Sequence, residues 1–147
     1  MILYLVHHAE AVDAAVDPQR PLSAEGLAHA DGLAAAARER GCAPVVIWHS
    51  GKLRARQTAE PFRRLCSPFA EFKMVRGLGP DDPPDVVHAA VLRESRDVLI
   101  AGHLPNLTAL LERLIGEARP FPAHGLVALE TSDDGISWSE RWRLGRP

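Results

Sequence analysis

Ile2-Leu-Tyr-Leu-Val6 runs directly into His7-His8-Ala9-Glu10, so a short apolar segment ends abruptly in polar, chemistry-bearing side chains. An apolar run of this length is typical of a strand that is buried on both faces. Val45 to Trp48 and Val98 to Ala101 have the same character, and a histidine follows each within two residues. Because parallel strands present their carboxyl ends at one edge of the sheet, the sequence predicts an edge that gathers three histidine-bearing segments.

Helical segments alternate with these strands. Ser23 is a suitable N-cap for an alanine-rich helix that ends near Arg40. Further helices are predicted over Leu53 to Leu65, Val86 to Arg93, and Leu104 to Ile115, the last with Pro105 in its first turn and Gly116 after its end.

Two weaker strand signals complete the pattern. Glu71 to Val75 is predicted to be an edge strand, and Leu126 to Glu130 and Ser137 to Arg143 flank the turn Asp133-Asp134-Gly135. The order predicts an α/β three-layer sandwich, with a mainly parallel sheet covered by helices on both faces and a C-terminal hairpin. We expect one domain over residues 1–147.

Composition narrows the class of protein. The formal net charge of -2 argues against a protein that binds nucleic acid or a membrane surface, since both favour a basic excess. No apolar run approaches the length of a membrane span. Cys42 and Cys66 fit neither a disulfide framework nor a metal knuckle, and no signal peptide is recognisable, so we expect a cytoplasmic location.

Three blocks of the sequence resemble those of the histidine phosphatase superfamily. They are Val6-His7-His8-Ala9-Glu10, Ser50-Gly51-Lys52-Leu53-Arg54-Ala55-Arg56-Gln57-Thr58-Ala59 and Gly102-His103-Leu104-Pro105. Arg20-Pro21-Leu22 is similar to a segment of the SixA-like branch, the phosphohistidine phosphatases. The blocks come in the family order, and the resemblance implies a phosphatase that requires neither a metal nor another cofactor.

The resemblance implies a two-step reaction in which His8 attacks phosphorus and water then hydrolyses the phosphohistidine. The attacking ring must be neutral, and its other nitrogen is expected to donate to a backbone carbonyl. Arg54, at a helix start, and His103 would act with the nucleophile and would donate to the phosphoryl oxygens. Arg20 and His7 complete the expected phosphate-binding group.

Position 7 departs from the family pattern, which has a phosphate-binding arginine there. Histidine lacks the permanent charge and the forked donors of arginine, so we expect slow or pH-sensitive turnover. The sequence does not decide which side chain donates a proton to the leaving group; the candidates are three carboxylates, Glu10, Asp81 and Asp82. Ordinary polar positions are expected for His49 and His124, and a surface position for Arg56.

Three other classes of function compete with this interpretation. A module that binds phosphate or a phosphoprotein without turnover would account for His7. A metal-dependent hydrolase would draw on His7, His8, Glu10, His49 and His103, although adjacent histidines seldom bind one ion together. A nucleotide-binding protein is disfavoured because no glycine-rich phosphate loop is present.

The expected partner is a phosphorylated protein, since a chain without large insertions between the blocks suggests an open pocket, and a small phosphate ester is the alternative substrate. The sequence carries no signal for the oligomeric state.

Overall fold

The computed structural model describes residues 1–145. Its strands and helices follow in the order β1 (Ile2–His7), α1 (Ala24–Glu39), β2 (Val46–His49), α2 (Leu53–Cys66), β3 (Glu71–Met74), α3 (Asp85–Leu92), β4 (Val98–Gly102), α4 (Asn106–Ile115), β5 (Leu126–Thr131) and β6 (Trp138–Leu144). The strands form one six-stranded sheet in the order β3-β2-β4-β1-β5-β6. The predicted α/β class, the mainly parallel sheet and the C-terminal hairpin are confirmed.

Strand register determines which residues meet at the functional edge. β3, β2, β4 and β1 are parallel, whereas β5 pairs with β1 in the opposite direction. His7 lies opposite Gly102, and His49 lies opposite Ala101. The segments after β1, β2 and β4 therefore leave the sheet side by side, and the segment that enters β5 returns to the same edge.

Helices cover both faces of the sheet because its central strands are apolar on both sides. On one face, α1 and α2 pack Leu33 and Phe62 against Tyr4 and Val6 of β1. On the other face, residues of α3 and α4, Val87 and Leu110 among them, pack against Leu5 and Ile100. The two buried layers hold β1 and β4 rigidly between them, which fixes the ends from which the site is built.

The helix ends follow the predicted signals with one exception. The Ser23 hydroxyl accepts a hydrogen bond from the Gly26 N–H at 3.0 Å, as expected of an N-cap. The predicted start of α4 at Leu104 is wrong. The helix spans Asn106–Ile115 with Pro105 as its N-cap, and the Ala109 N–H donates to the Pro105 carbonyl at 3.0 Å, so Leu104 and Pro105 form a turn before Asn106. No helix within residues 1–145 is long and apolar enough to cross a membrane.

Candidate active site

The candidate active site is built where β1, β2 and β4 end. β1 delivers His7 and His8, the turn after β2 delivers Ser50, and the turn after β4 delivers His103. The ring centroids of His8 and His103 are 5.1 Å apart, and those of His7 and His8 are 4.5 Å apart. The predicted gathering of three histidine-bearing segments at one edge is therefore present.

His8 has the hydrogen bonding of a neutral nucleophile. Its Nδ1 lies 2.7 Å from the Ala9 carbonyl oxygen, which can only accept, so Nδ1 carries the proton and Nε2 carries the lone pair. Nε2 has no hydrogen-bond partner within residues 1–145 and is not sealed from solvent. Burial is the main cause that lowers the pKa of His8 to about 4; the Ala9 hydrogen bond opposes this shift, and Arg54, His124 and Arg20 contribute to it.

Arg54 lies in the first turn of α2, where the helix N-terminus adds its own positive end. Its Nε is buried without a hydrogen-bond partner in the described chain, and no ion pair is formed by its guanidinium there. Burial, followed by the charge of Arg20, lowers the pKa of Arg54 from its ordinary value. A buried Nε–H without a partner costs free energy, and a bound anion that accepted from it would recover that cost.

Thr58 joins α2 to the nucleophile segment. Its hydroxyl donates to the Arg54 carbonyl at 2.7 Å and accepts from the Ala9 N–H at 3.0 Å. The side chain is fully buried. One hydroxyl thus fixes the spacing between the helix that carries Arg54 and the loop that carries His8, a role that the sequence alone does not reveal.

His103 is held by Ser50. The ring is 1% exposed, and its Nε2 lies 2.7 Å from the Ser50 hydroxyl. Its Nδ1 is buried without a hydrogen-bond partner in the described chain. Burial, followed by the nearby His8 and Arg54, lowers the pKa of His103 to about 3. Ser50 belongs to the quoted second block, but only the folded chain brings it to His103.

His7 and His124 form a stacked pair beside the nucleophile. Their ring centroids are 4.7 Å apart with an interplanar angle of 7°. The main-chain N–H of His124 donates to Nδ1 of His7 at 2.8 Å, and Nδ1 of His124 lies 2.6 Å from the His8 carbonyl oxygen. The expectation of an ordinary polar position is wrong for His124, because the antiparallel return into β5 carries this residue to the end of β1.

Arg20 reaches the same region from the loop before α1. Its backbone is left-handed, with φ of 47°, and its Nε donates to the Val12 carbonyl at 3.1 Å. The side-chain oxygen of Gln57 accepts from the Leu22 N–H at 2.7 Å, which ties this loop to α2. Arg20 is close enough to lower the pKa of both His8 and Arg54.

The three candidate proton donors lie in two different surroundings. The Glu10 carboxylate accepts from the Ser23 hydroxyl at 3.0 Å, at the start of α1. Asp81 and Asp82 are exposed, and the Asp82 carboxylate accepts from the Gly79 N–H at 2.8 Å within its own loop. Among residues 1–145, the charged groups that act most strongly on the His8 imidazole are all cationic. The arrangement is therefore suited to an anion rather than to an acid–base pair.

Asn106 connects the loop of Asp81 and Asp82 to the site. Its side-chain amide donates to the carbonyls of Gly77 and Asp82, at 3.1 and 2.8 Å. Asn106 is 1% exposed and starts α4 three residues after His103. The loop is consequently anchored near the pocket even though its carboxylates point to other partners or to solvent.

Within residues 1–145, one cluster has the composition of a metal site. Possible ligand atoms of His7, His8 and His124 lie within 4.8 Å of one another. However, the His124 N–H occupies the Nδ1 lone pair of His7, so the proton of the neutral His7 ring resides on Nε2. His7 therefore has no free lone pair for a metal while this hydrogen bond persists.

The remaining positions take structural roles. Nδ1 of His49 accepts from the Gly51 N–H at 3.0 Å, which stabilises the turn after β2. Gly51 has φ of 91°, in the left-handed region that glycine adopts readily, and a Cβ there would lie against Sδ of Met74. Arg56 is exposed, as predicted. Cys42 and Cys66 are free thiols.

Solved structures resemble this chain over nearly its whole length. The protein histidine phosphatase SixA, solved with tungstate, has a TM-score of 0.87 and 24% identity, covering 99% of this chain and 97% of that one. A protein from Agrobacterium tumefaciens, assigned as the phosphohistidine phosphatase SixA, has a TM-score of 0.83 and 26% identity, covering 99% and 98% of the two chains. Phosphoglycerate mutase from Plasmodium falciparum has a TM-score of 0.72 and 18% identity, covering 96% and 88%.

No protein-family model matches the chain, and no curated protein matches it by sequence. The likeness to known proteins is thus carried by the fold. The chain has the fold of the histidine phosphatase superfamily and resembles its SixA-like branch.

Proposed function

We propose that this protein is a phosphatase that forms a phosphohistidine intermediate on His8 and acts on protein phosphohistidine. One observation carries the proposal. The Ala9 carbonyl fixes the neutral tautomer of His8, which leaves an open Nε2 lone pair beside the unpaired guanidinium of Arg54. A nucleophile next to unsatisfied cationic donors is the arrangement that phosphoryl transfer requires.

The first step transfers the phosphoryl group to the protein. The Nε2 lone pair of His8 forms the new N–P bond as the bond between phosphorus and the leaving nitrogen breaks, and that nitrogen takes a proton from solvent water. Arg54 and Arg20 offset the charge on the phosphoryl oxygens and His7 provides an imidazole contact, while His103, held by Ser50, packs beside the His8 ring. In the second step, water attacks phosphorus, inorganic phosphate leaves and the electron pair returns to Nε2.

The chemistry of the leaving group supports a phosphohistidine substrate. The nitrogen of a phosphoramidate accepts a proton readily, so it departs without a strongly held general acid. The carboxylates of Glu10 and Asp82 are already engaged with Ser23 and Gly79. We therefore expect phosphate esters with poor leaving groups, which depend more on a proton donor, to be slower substrates.

The surroundings of the pocket support a protein substrate. A cleft of about 370 Å³ opens beside Arg54, and its lining includes Lys52, Arg56 and Gln19. No acidic side chain lines this cleft among the described residues. This cationic cleft adjoins the site at Arg54 and suits a phosphorylated segment that is presented on another protein's surface.

Trapping the phosphoenzyme tests the proposal. A protein labelled with phosphohistidine is mixed with the parent chain and quenched in alkali, which preserves phosphohistidine. We expect a labelled band from the parent chain and none from His8→Asn, which removes the nucleophile. His88→Asn is the matched control, since His88 lies on α3 outside the site, and it should label like the parent.

The outcome separates the proposal from its main alternative, a module that binds phosphate without turnover. Binding of the phosphorylated protein without any labelled intermediate or phosphate release would favour that alternative. The same assay after exhaustive chelation tests metal independence. We expect unchanged phosphate release, and loss that is restored by a divalent metal would contradict the proposal.

A further inference from the structure

The residue before the nucleophile has an environment that determines how it hydrogen bonds. His7 is the last residue of β1 and is only 9% exposed. Its ring meets the His8 ring edge-on, at 4.5 Å between centroids, and stacks on His124 at 4.7 Å. His8, His124 and Arg54 are the charged or titratable groups that act most strongly on it.

The main chain of the turn that enters β5 fixes the tautomer of His7. The His124 N–H donates to Nδ1 of His7 at 2.8 Å. A backbone N–H can only donate, so Nδ1 must hold the lone pair and the neutral ring must carry its proton on Nε2. That Nε2 has no partner within residues 1–145 and keeps contact with solvent. His7 therefore presents one open N–H donor.

The turn is held firmly enough to maintain this arrangement. The His7 N–H donates to the Gly125 carbonyl at 3.0 Å, so both the main chain and the side chain of His7 are bound to the same turn. His124 has a left-handed backbone, with φ of 53°. Its Nδ1 lies 2.6 Å from the His8 carbonyl oxygen, which couples the turn to the nucleophile as well.

We propose that His124 positions His7 as an uncharged hydrogen-bond donor, through Nε2, to the phosphoryl group bound at His8. This inference rests on the proposed function, because it assigns a role at the same site. Under this proposal, His7 acts as a neutral donor at the position where the family pattern has a charged arginine.

The surroundings of His7 favour a neutral donor. Burial, followed by the neighbouring His8, His124 and Arg54, lowers the pKa of His7 to about 3. Arg54 and Arg20 already supply positive charge at the site. An imidazolium at position 7 would add another charge where desolvation already opposes it, whereas the neutral Nε2–H donates without that cost.

A pair of amide substitutions tests the position of the donor. In His7→Gln the side-chain amide reaches the place of Nε2, whereas in His7→Asn it reaches only the place of Nδ1. We expect inorganic phosphate to bind His7→Gln within about threefold of the parent and His7→Asn about 10- to 100-fold more weakly, measured by calorimetry at pH 7.5. Equal affinities for the two variants would overturn the proposal.

Nitrogen NMR tests the tautomer itself. In the ¹⁵N-histidine-labelled protein we expect His7 to be neutral with its proton on Nε2 at pH 7.5, with and without phosphate. His124→Gly should preserve this tautomer, because glycine adopts the left-handed backbone freely and keeps the N–H. A proton on Nδ1 of His7, or a protonated ring at pH 7.5, would overturn the proposal.

These measurements separate the two proposals. Phosphate affinity and the tautomer of His7 do not require turnover. If both results are as expected but no phosphoenzyme can be trapped, the proposed function fails and the assignment of His7 as a neutral anion donor stands.

Discussion

Acid should destabilise this fold steeply, because three site histidines are buried in their neutral form. Burial is the largest cause of the lowered pKa in each, and it brings the values to about 3 for His7, about 4 for His8 and about 3 for His103. In the unfolded chain the same rings titrate near their ordinary pKa of 6.5. The folded state therefore holds fewer protons than the unfolded state once the pH falls below about 6.5.

The sign and size of the effect follow from this difference. The stability that the neutral rings provide is fully present above pH 6.5 and is lost as the pH falls toward about 4 for His8 and about 3 for His7 and His103. At pH 5 each ring lies about 1.5 pH units below its unfolded pKa, which amounts to about 2 kcal/mol per ring. The three together amount to about 6 kcal/mol, comparable to the whole stability of many small domains.

Urea unfolding in phosphate-free buffer at pH 7.5 and pH 5.0 measures this loss, followed by the fluorescence of the buried Trp48 and Trp138. His7→Asn removes one titrating ring, so its loss between the two pH values should be about 4 kcal/mol rather than about 6. A parent chain whose free energy of unfolding changes by less than about 1 kcal/mol would refute the reasoning, since the folded rings would then be charged.

Three further predictions concern turnover. His7→Arg should release phosphate about tenfold faster or more at some pH between about 5 and 9, since the permanently charged arginine fork donates more strongly than a neutral ring. A variant that is no faster than the parent at any of these pH values would contradict the prediction. Arg54→Lys should lower kcat by about 10²- to 10³-fold, because a single ammonium does not reproduce the guanidinium fork. Circular dichroism should show an intact fold. Retained activity would show that Arg54 has no part in the mechanism. Ser50→Ala should lower kcat about tenfold and Ser50→Thr should largely restore it, since the Ser50 hydroxyl holds His103 at 2.7 Å. Unchanged kinetics in Ser50→Ala would show that Ser50 does not position His103.

The fold could be predicted from the sequence because the local signals for helix and strand ends agree with the long-range pattern of buried strands. Continuous apolar runs such as Val98 to Ala101 predict strands covered on both faces, and both faces are covered. Ser23 marks the start of α1, and Gly116, with φ of 88°, marks the end of α4. The start of α4 was misplaced because Leu104 continues the apolar pattern although its backbone belongs to the preceding turn.

Only part of the candidate site could be predicted from the sequence. The position of His103 near His8 follows from parallel register, which the strand pattern implies. His124 gave no such signal, because it acts on His7 through a main-chain N–H, and nothing in the residue types around it encodes that contact. Thr58 was similarly hidden, since its hydroxyl joins two segments 49 residues apart.

The antiparallel pairing of β5 with β1 has a consequence for when the site becomes competent. The turn that orients His7 lies 117 residues farther along the chain than the strand it serves. A chain in which all helices have formed but β5 has not paired with β1 already contains the nucleophile His8. The His7 ring of that chain can still carry its proton on either nitrogen. Completion of the anion pocket thereby requires a contact between distant parts of the sequence, and a chain that lacks this contact should bind phosphate weakly even when its secondary structure is otherwise formed.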